Sequence, residues 1–334
     1  MMLSAIFQGA GRPLALETRP IPKPGPGQAL IRVHRCGICG SDLHMTCGSP
    51  FDWPTGTALG HEYAGEVVET GDSGALKPGD RVTAIPMSAC GHCPACLAGQ
   101  PLLCAEFSPM SGGYSEYTLI EQRLAFILPA SLTYDDGALV EPLAAALRGI
   151  QKLGNIAGAR VAVIGAGGIG AGAIFWLRQL GATHIAAITR SNRAAALAAT
   201  FGATLLTTGE NLAGRLTETL GGPPDIVVEA AGVPGLLQLA LDLIRPGGTI
   251  LSLGGSTTPD PIMPALAMWK ETRLLFSVAY GPAEFRQTLD TLATNTAPRA
   301  MIGETIPLTV LPERFDSMRH GSHPAKIMVN PQTA

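Results

Sequence analysis

Between residues 158 and 281 the apolar positions come in short unbroken blocks, each followed by a longer alanine- or leucine-rich stretch. The blocks "RVAVIG" (160–165), "HIAAIT" (184–189), "PDIVVEAAGV" (224–233), "GGTILSLGG" (247–255) and "LLFSVAYG" (274–281) predict buried strands. Stretches such as "PGLLQLALDLIRPG" predict the helices between them. Strands and helices in alternation make a doubly wound parallel sheet, so the fold class is α/β.

The first block runs straight into "GAGGIG" (165–170) and then into a helix. In that setting a G-x-G-x-x-G run has a physical meaning. Gly165 makes the turn, Gly167 lets a pyrophosphate approach the backbone, and Gly170 lets helix and strand pack closely. Gly168 and Ile169 complete the loop, and the helix start supplies free N–H groups for phosphate. A dinucleotide is the expected ligand. An acid at the end of the second strand would bind the ribose 2′-hydroxyl of NAD; here that position is Thr189, followed by Arg190, Ser191, Asn192 and Arg193. With no acid and two guanidiniums nearby, Thr189, Arg190, Ser191 and Arg193 predict NADP(H), with NAD(H) as the alternative.

Composition narrows the setting. The 334 residues are 46% hydrophobic and 15% charged, so a large core is expected and disorder is not. A net charge of −3 gives no reason to expect nucleic acid or an anionic membrane as partner. There is no signal-peptide pattern and no apolar run of membrane-spanning length, which predicts a cytoplasmic protein. In a reducing compartment, clustered cysteines bind metal more often than they cross-link.

Four of the seven cysteines, Cys90, Cys93, Cys96 and Cys104, lie in "CGHCPACLAGQPLLC". Two-residue gaps turn neighbouring thiolates onto one ion, and four thiolates close a tetrahedral zinc. Such an ion is structural, stapling a loop with little apolar content of its own. An iron–sulfur cluster or free thiols are the other readings, and His92 is a bystander. Upstream, Cys39, His61 and Glu62 offer sulfur, nitrogen and oxygen, a three-ligand set that leaves zinc a position for water or substrate. A Cys36–Cys39 pair is a rival. Glu141, an acid in apolar surroundings before a proline, is a fourth candidate, as direct ligand or as partner of a metal-bound water. Phe51, Trp53 and Met110 are candidates to line a substrate pocket.

Taken together, "PIPKPGPGQALIRVHRCGICGSDLH", "GHEYAGEVVETG", "LKPGDRV", the four-cysteine loop, "EPLAAAL" and "GAGGIG" resemble the zinc-containing medium-chain alcohol dehydrogenases, specifically the sorbitol, threonine and butanediol dehydrogenase branch. The resemblance covers nearly the whole chain. It implies a GroES-like β-rich catalytic domain over 1–145 and 285–334, interrupted by a Rossmann domain over 146–284. It implies two zinc ions: a catalytic one on Cys39, His61 and Glu62 with Glu141 close by, and a structural one on the four clustered cysteines. Ser41 and His44 match the positions that pass the alcohol proton outward, and "HPAKIMV" matches the closing strand, with Lys326. The implied reaction is hydride transfer between NADP(H), less readily NAD(H), and a secondary alcohol or polyol or its ketone, in a homodimer or homotetramer. The rivals are a zinc-independent quinone- or enoyl-reductase-like protein and a non-catalytic NADPH-binding protein.

Overall fold

A computed structural model describes residues 1–48, 53–72, 74–319 and 324–333. The chain forms two compact units, one from Met1–Glu141 with Tyr280–Ala334 and the other from Pro142–Ala279. The divisions fall a few residues before the expected 145/146 and 284/285.

The first unit is built on a seven-stranded mixed sheet. Its central strand, Gln28–Gly37, pairs antiparallel with Glu62–Thr70, with Tyr117–Glu121 and with the closing strand Lys326–Asn330. Ile31, Val33 and Cys36 on the central strand are fully buried. They meet Tyr63, Val67, Tyr114, Phe315, Ile327 and Val329 in one apolar core. Burial of that many large side chains is the main stabilising term here. Register also sets how one buried acid lies. Gly37 stands opposite Glu62, and Met328 stands opposite Gly37 on the other side. A Cβ on Gly37 would collide with Glu62 Oε2, so glycine there lets the carboxylate lie across the sheet.

The second unit is a six-stranded, wholly parallel sheet. Its strands run in the order Thr204–Leu206, His184–Ile188, Arg160–Ile164, Ile226–Glu229, Thr249–Ser252, Arg273–Phe276. The order reverses between Arg160–Ile164 and Ile226–Glu229, the switch point beside which doubly wound sheets bind dinucleotides. Helices Gly168–Gln179, Asn192–Thr200, Leu212–Leu220 and Leu236–Leu243 connect the strands. The central strands read as continuous apolar runs because they are buried on both faces. The expected buried strand in "LLFSVAYG" differs. Only Arg273–Phe276 is strand, it lies at the sheet edge, and Phe276 is 61% exposed. An edge strand lacks one neighbour, so apolar content alone does not bury it. Among the described residues, no helix is long and apolar enough to cross a membrane.

Candidate active site

Cys39 is the N-cap residue of the short helix Gly40–Met45, held extended at φ −104° and ψ 146°. That helix presents Ser41 and Asp42 to the end of the loop carrying His61. Ser41 Oγ donates to Cys39 Sγ at 3.1 Å and lies 3.3 Å from His61 Nε2. Asp42 Oδ1 lies 3.1 Å from His61 Nδ1, and Tyr114 Oη donates to Asp42 Oδ2 at 2.7 Å. Burial opposes charge on His61, but Asp42 and the Cys39 sulfur outweigh it and hold the imidazole's pKa well above its ordinary value.

Glu62 opens its strand fully buried. One carboxylate oxygen, Oε1, pairs with Lys326 Nζ, itself buried at the start of the closing strand. The other, Oε2, is sealed from solvent with no hydrogen-bond partner. Lys326 answers the carboxylate's charge, but a buried oxygen with no partner still carries a desolvation cost that a metal ion at that oxygen would relieve. The candidate ligand atoms of Cys39, His61 and Glu62 all lie within 4.8 Å of one another. Thiolate, imidazole and carboxylate at that spacing are the donor set of an open zinc site, so these residues fit the ion.

Glu141 stands outside this triplet. Tyr280 Oη donates to its Oε1 at 2.8 Å, and desolvation pushes its carboxyl up to about 7. Cys36 is outside it too. Its buried thiol donates to Gly37 O at 3.6 Å, and burial raises its pKa well above the usual thiol value.

Cys90, Cys93, Cys96 and Cys104 form a second cluster, again with all four sulfurs within 4.8 Å of one another. Cys90 Sγ is 3.9 Å from Cys96 Sγ and 3.6 Å from Cys104 Sγ. Four sulfurs at about 2.3 Å from a tetrahedral zinc would stand about 3.8 Å apart, so the spacing suits the ion and is far too long for a disulfide. Backbone N–H groups of His92 and Cys93 hold the Cys90 thiol down at about 6, while desolvation holds Cys96 up at about 12. His92 and Glu106 also reach the neighbourhood of Cys90. The lobe is poor in core: Leu97 and Leu103 are 76% and 66% exposed.

In the second unit Gly165 has φ +87°, and a Cβ there would press on Ala231. A Cβ on Gly170 would strike the Gly165 carbonyl, which enforces the close strand–helix approach. Gly167 caps the helix Gly168–Gln179, whose first residues include Ile169. Beyond the second strand, a cavity of about 180 Å³ is lined by Thr189, Arg190, Ser191, Asn192, Thr207 and Arg215, among others. Arg193 is exposed on the following helix and does not line it.

Residues 25–130 match the alcohol dehydrogenase GroES-like domain, and residues 168–294 match the zinc-binding dehydrogenase family. L-Galactonate-5-dehydrogenase of Escherichia coli (strain K12) is 32% identical over 321 residues, 90% of this chain and 93% of the relative. (R,R)-Butanediol dehydrogenase of Bacillus subtilis (strain 168) is 37% identical over 235 residues, 66% of this chain and 68% of the relative. This chain belongs to the zinc-containing medium-chain alcohol dehydrogenase family. The solved structure of a Sinorhizobium meliloti 1021 protein, described as a zinc-binding dehydrogenase and bound to NADP, superposes with a TM-score of 0.89 at 33% identity, covering 99% of each chain. The GroES-like and Rossmann-like architecture is shared.

The remaining sites of this dehydrogenase are dispersed. His44 is exposed on the helix that carries Ser41. Trp53 packs partly buried against the core of the first unit. Met110 is partly buried, and its carbonyl accepts from Tyr63 Oη at 3.1 Å. Phe51 lies outside the described residues. Four residues that brace or line these clusters stand out only in the structure: Asp42, Tyr114, Tyr280 and Arg215. Only Asp42 had a local signal, an acid beside Ser41 in "GSD".

Proposed function

We propose that this dehydrogenase transfers hydride between a secondary alcohol or polyol and NADP(H), with catalytic zinc on Cys39, His61 and Glu62. What carries the reading is the convergence of sulfur, nitrogen and oxygen ligand atoms within 4.8 Å, together with the orphaned buried Oε2 of Glu62. Bound zinc supplies the Lewis acidity that makes an alcohol hydroxyl acidic near neutral pH, and the nicotinamide supplies the hydride acceptor.

The protein's own groups do the rest. Ser41, already in contact with Cys39 and His61, relays the proton: its Oγ takes the proton of the alcohol oxygen as its own O–H proton passes on toward His44. His44 lies three residues further along the same helix, hence on the same face, and is exposed; it hands the proton to solvent. Asp42 fixes which His61 nitrogen is free to ligate. Lys326 balances the Glu62 charge, and Glu141, held by Tyr280, supplies a further carboxylate to the metal surroundings. Trp53 and Met110 give the substrate an apolar side. Cys90, Cys93, Cys96 and Cys104 hold a structural zinc.

NADP(H) is favoured by the absence of an acid after the second strand and by the guanidiniums of Arg190 and Arg193 beyond it. The half-exposed edge strand Arg273–Phe276, near Trp269 at 86% exposure, suits a homodimer or homotetramer. Light scattering that returned a monomer mass would end that part.

The decisive test combines metal analysis with a screen of secondary alcohols, sugar alcohols and amino-hydroxy acids against NADP+ and NAD+. About two zinc ions per chain and higher kcat/KM with NADP+ are expected. One zinc per chain, or a clear NAD+ preference, overturns the corresponding half of the proposal.

A further inference from the structure

The cavity beyond the second strand of the parallel sheet is lined from two directions. Thr189, Arg190, Ser191 and Asn192 come from the turn after His184–Ile188, and Arg215 comes from the helix Leu212–Leu220. The turn's hydroxyl oxygens each accept one backbone N–H, which leaves their O–H groups to donate. Thr189 Oγ1 accepts from Ser191 N at 3.3 Å, and Ser191 Oγ accepts from Ala194 N at 3.4 Å. Arg215 is different. Its Nη2 donates to Thr207 O at 2.8 Å, which fixes the guanidinium beside the cavity, while its Nε is sealed from solvent with no acceptor. Among the described lining residues none is a carboxylate, so two arginines line a small space with no anion of the protein to answer them.

An anchored guanidinium with an unanswered donor selects a compact anion with several acceptor oxygens. We infer that Arg215, with Arg190, is a specificity-determining residue for the 2′-phosphate of NADP(H). Arg190 is exposed and supplies charge from the rim. Arg215 is partly buried and pinned, so it supplies a directed donor at lower entropic cost. This assignment rests on the NADP(H) reading, and it moves the discriminating contact from the turn after the second strand to the helix that follows the third.

The test is isothermal calorimetry of the full-length protein with 2′,5′-ADP and with 5′-AMP, which share every feature except the 2′-phosphate. The wild-type protein is expected to bind 2′,5′-ADP more tightly. Arg215→Gln should weaken 2′,5′-ADP by about 10- to 100-fold, the scale of one lost charge-assisted contact, and leave 5′-AMP unchanged. Arg215→Lys should recover part of the loss, and raising salt should narrow the difference between wild type and Arg215→Gln. A wild-type protein indifferent to the 2′-phosphate ends the NADP(H) reading and this assignment with it. A wild-type preference that survives in Arg215→Gln ends the assignment alone. Equal weakening of both nucleotides, or a variant that no longer binds 5′-AMP, shows Arg215 acting through the fold and also overturns it.

Discussion

Asp42 Oδ1 meets His61 Nδ1 at 3.1 Å, from a side chain only 1% exposed to solvent. A carboxylate on one ring nitrogen fixes the tautomer and leaves the other nitrogen to face a metal. Asp42→Asn keeps the shape and removes the charge. We expect zinc affinity and turnover each to fall by about 10- to 100-fold, the usual effect of losing such an outer partner. Chelator competition and kcat measured with saturating zinc check this. Unchanged affinity and rate would show that Asp42 only supports packing.

Asp136 gives the first unit an acid-sensitive point. Its fully buried carboxylate accepts from Thr133 N and Thr133 Oγ1, and from Arg299 through two nitrogens at 2.7 Å each. Burial opposes the charge, but Arg299 and Thr133 outweigh it and hold the carboxyl below its usual range. A lowered folded pKa means the stability is present above the unfolded value of about 3.9 and is lost as pH falls through the folded one. Asp136→Asn should therefore cost about 2 kcal/mol at neutral pH and progressively less below about pH 4. Thermal melts from pH 7 down to 3 read this out; parallel curves for both proteins would refute it.

Gly170 tests the tight turn. Its Cβ would strike the Gly165 carbonyl, and backbone yields less readily than a side chain. Gly170→Ala should cost about 1–3 kcal/mol in stability and weaken nucleotide binding in the same variant. Calorimetric melts with and without NADP+ decide; a variant that melts and binds like wild type would show slack in the turn.

Cys104 is buried in the sulfur cluster, and its sulfur accepts from the Cys90 and Glu106 backbone N–H groups. Cys104→Ser should lower the metal content from about two to about one zinc per chain and expose the lobe to proteolysis, while Cys39→Ser removes the other ion and activity. Zinc content unchanged in Cys104→Ser would mean the four sulfurs hold none.

Sequence and structure agree most where periodicity is local. The central strands of the parallel sheet are unbroken apolar runs, and "GAGGIG" stands between strand and helix as its glycines require. Residue type marked Cys39, His61 and Glu62 as a ligand set, because sulfur, imidazole and carboxylate are scarce and chemically distinct. Edge and centre were not separable in "LLFSVAYG", since composition does not tell how many neighbours a strand has. The supporting groups were hidden for a similar reason. Tyr114 and Asp42 are 72 residues apart, and Tyr280 and Glu141 are 139 apart. Nothing in either local stretch announces its partner. Arg215 was obscured by its setting on an amphipathic helix, where an arginine is ordinarily a solvated residue.

The pairing of Glu62 with Lys326 spans 264 positions of the chain. A ribosome must therefore release residue 326 before the carboxylate beside Cys39 and His61 gains its counterion, and everything between is translated first. The carboxylate beside Cys39 and His61 therefore has no counterion until the closing strand pairs, and a truncation that spares all three residues but removes Lys326–Asn330 would leave Glu62 buried without its cation.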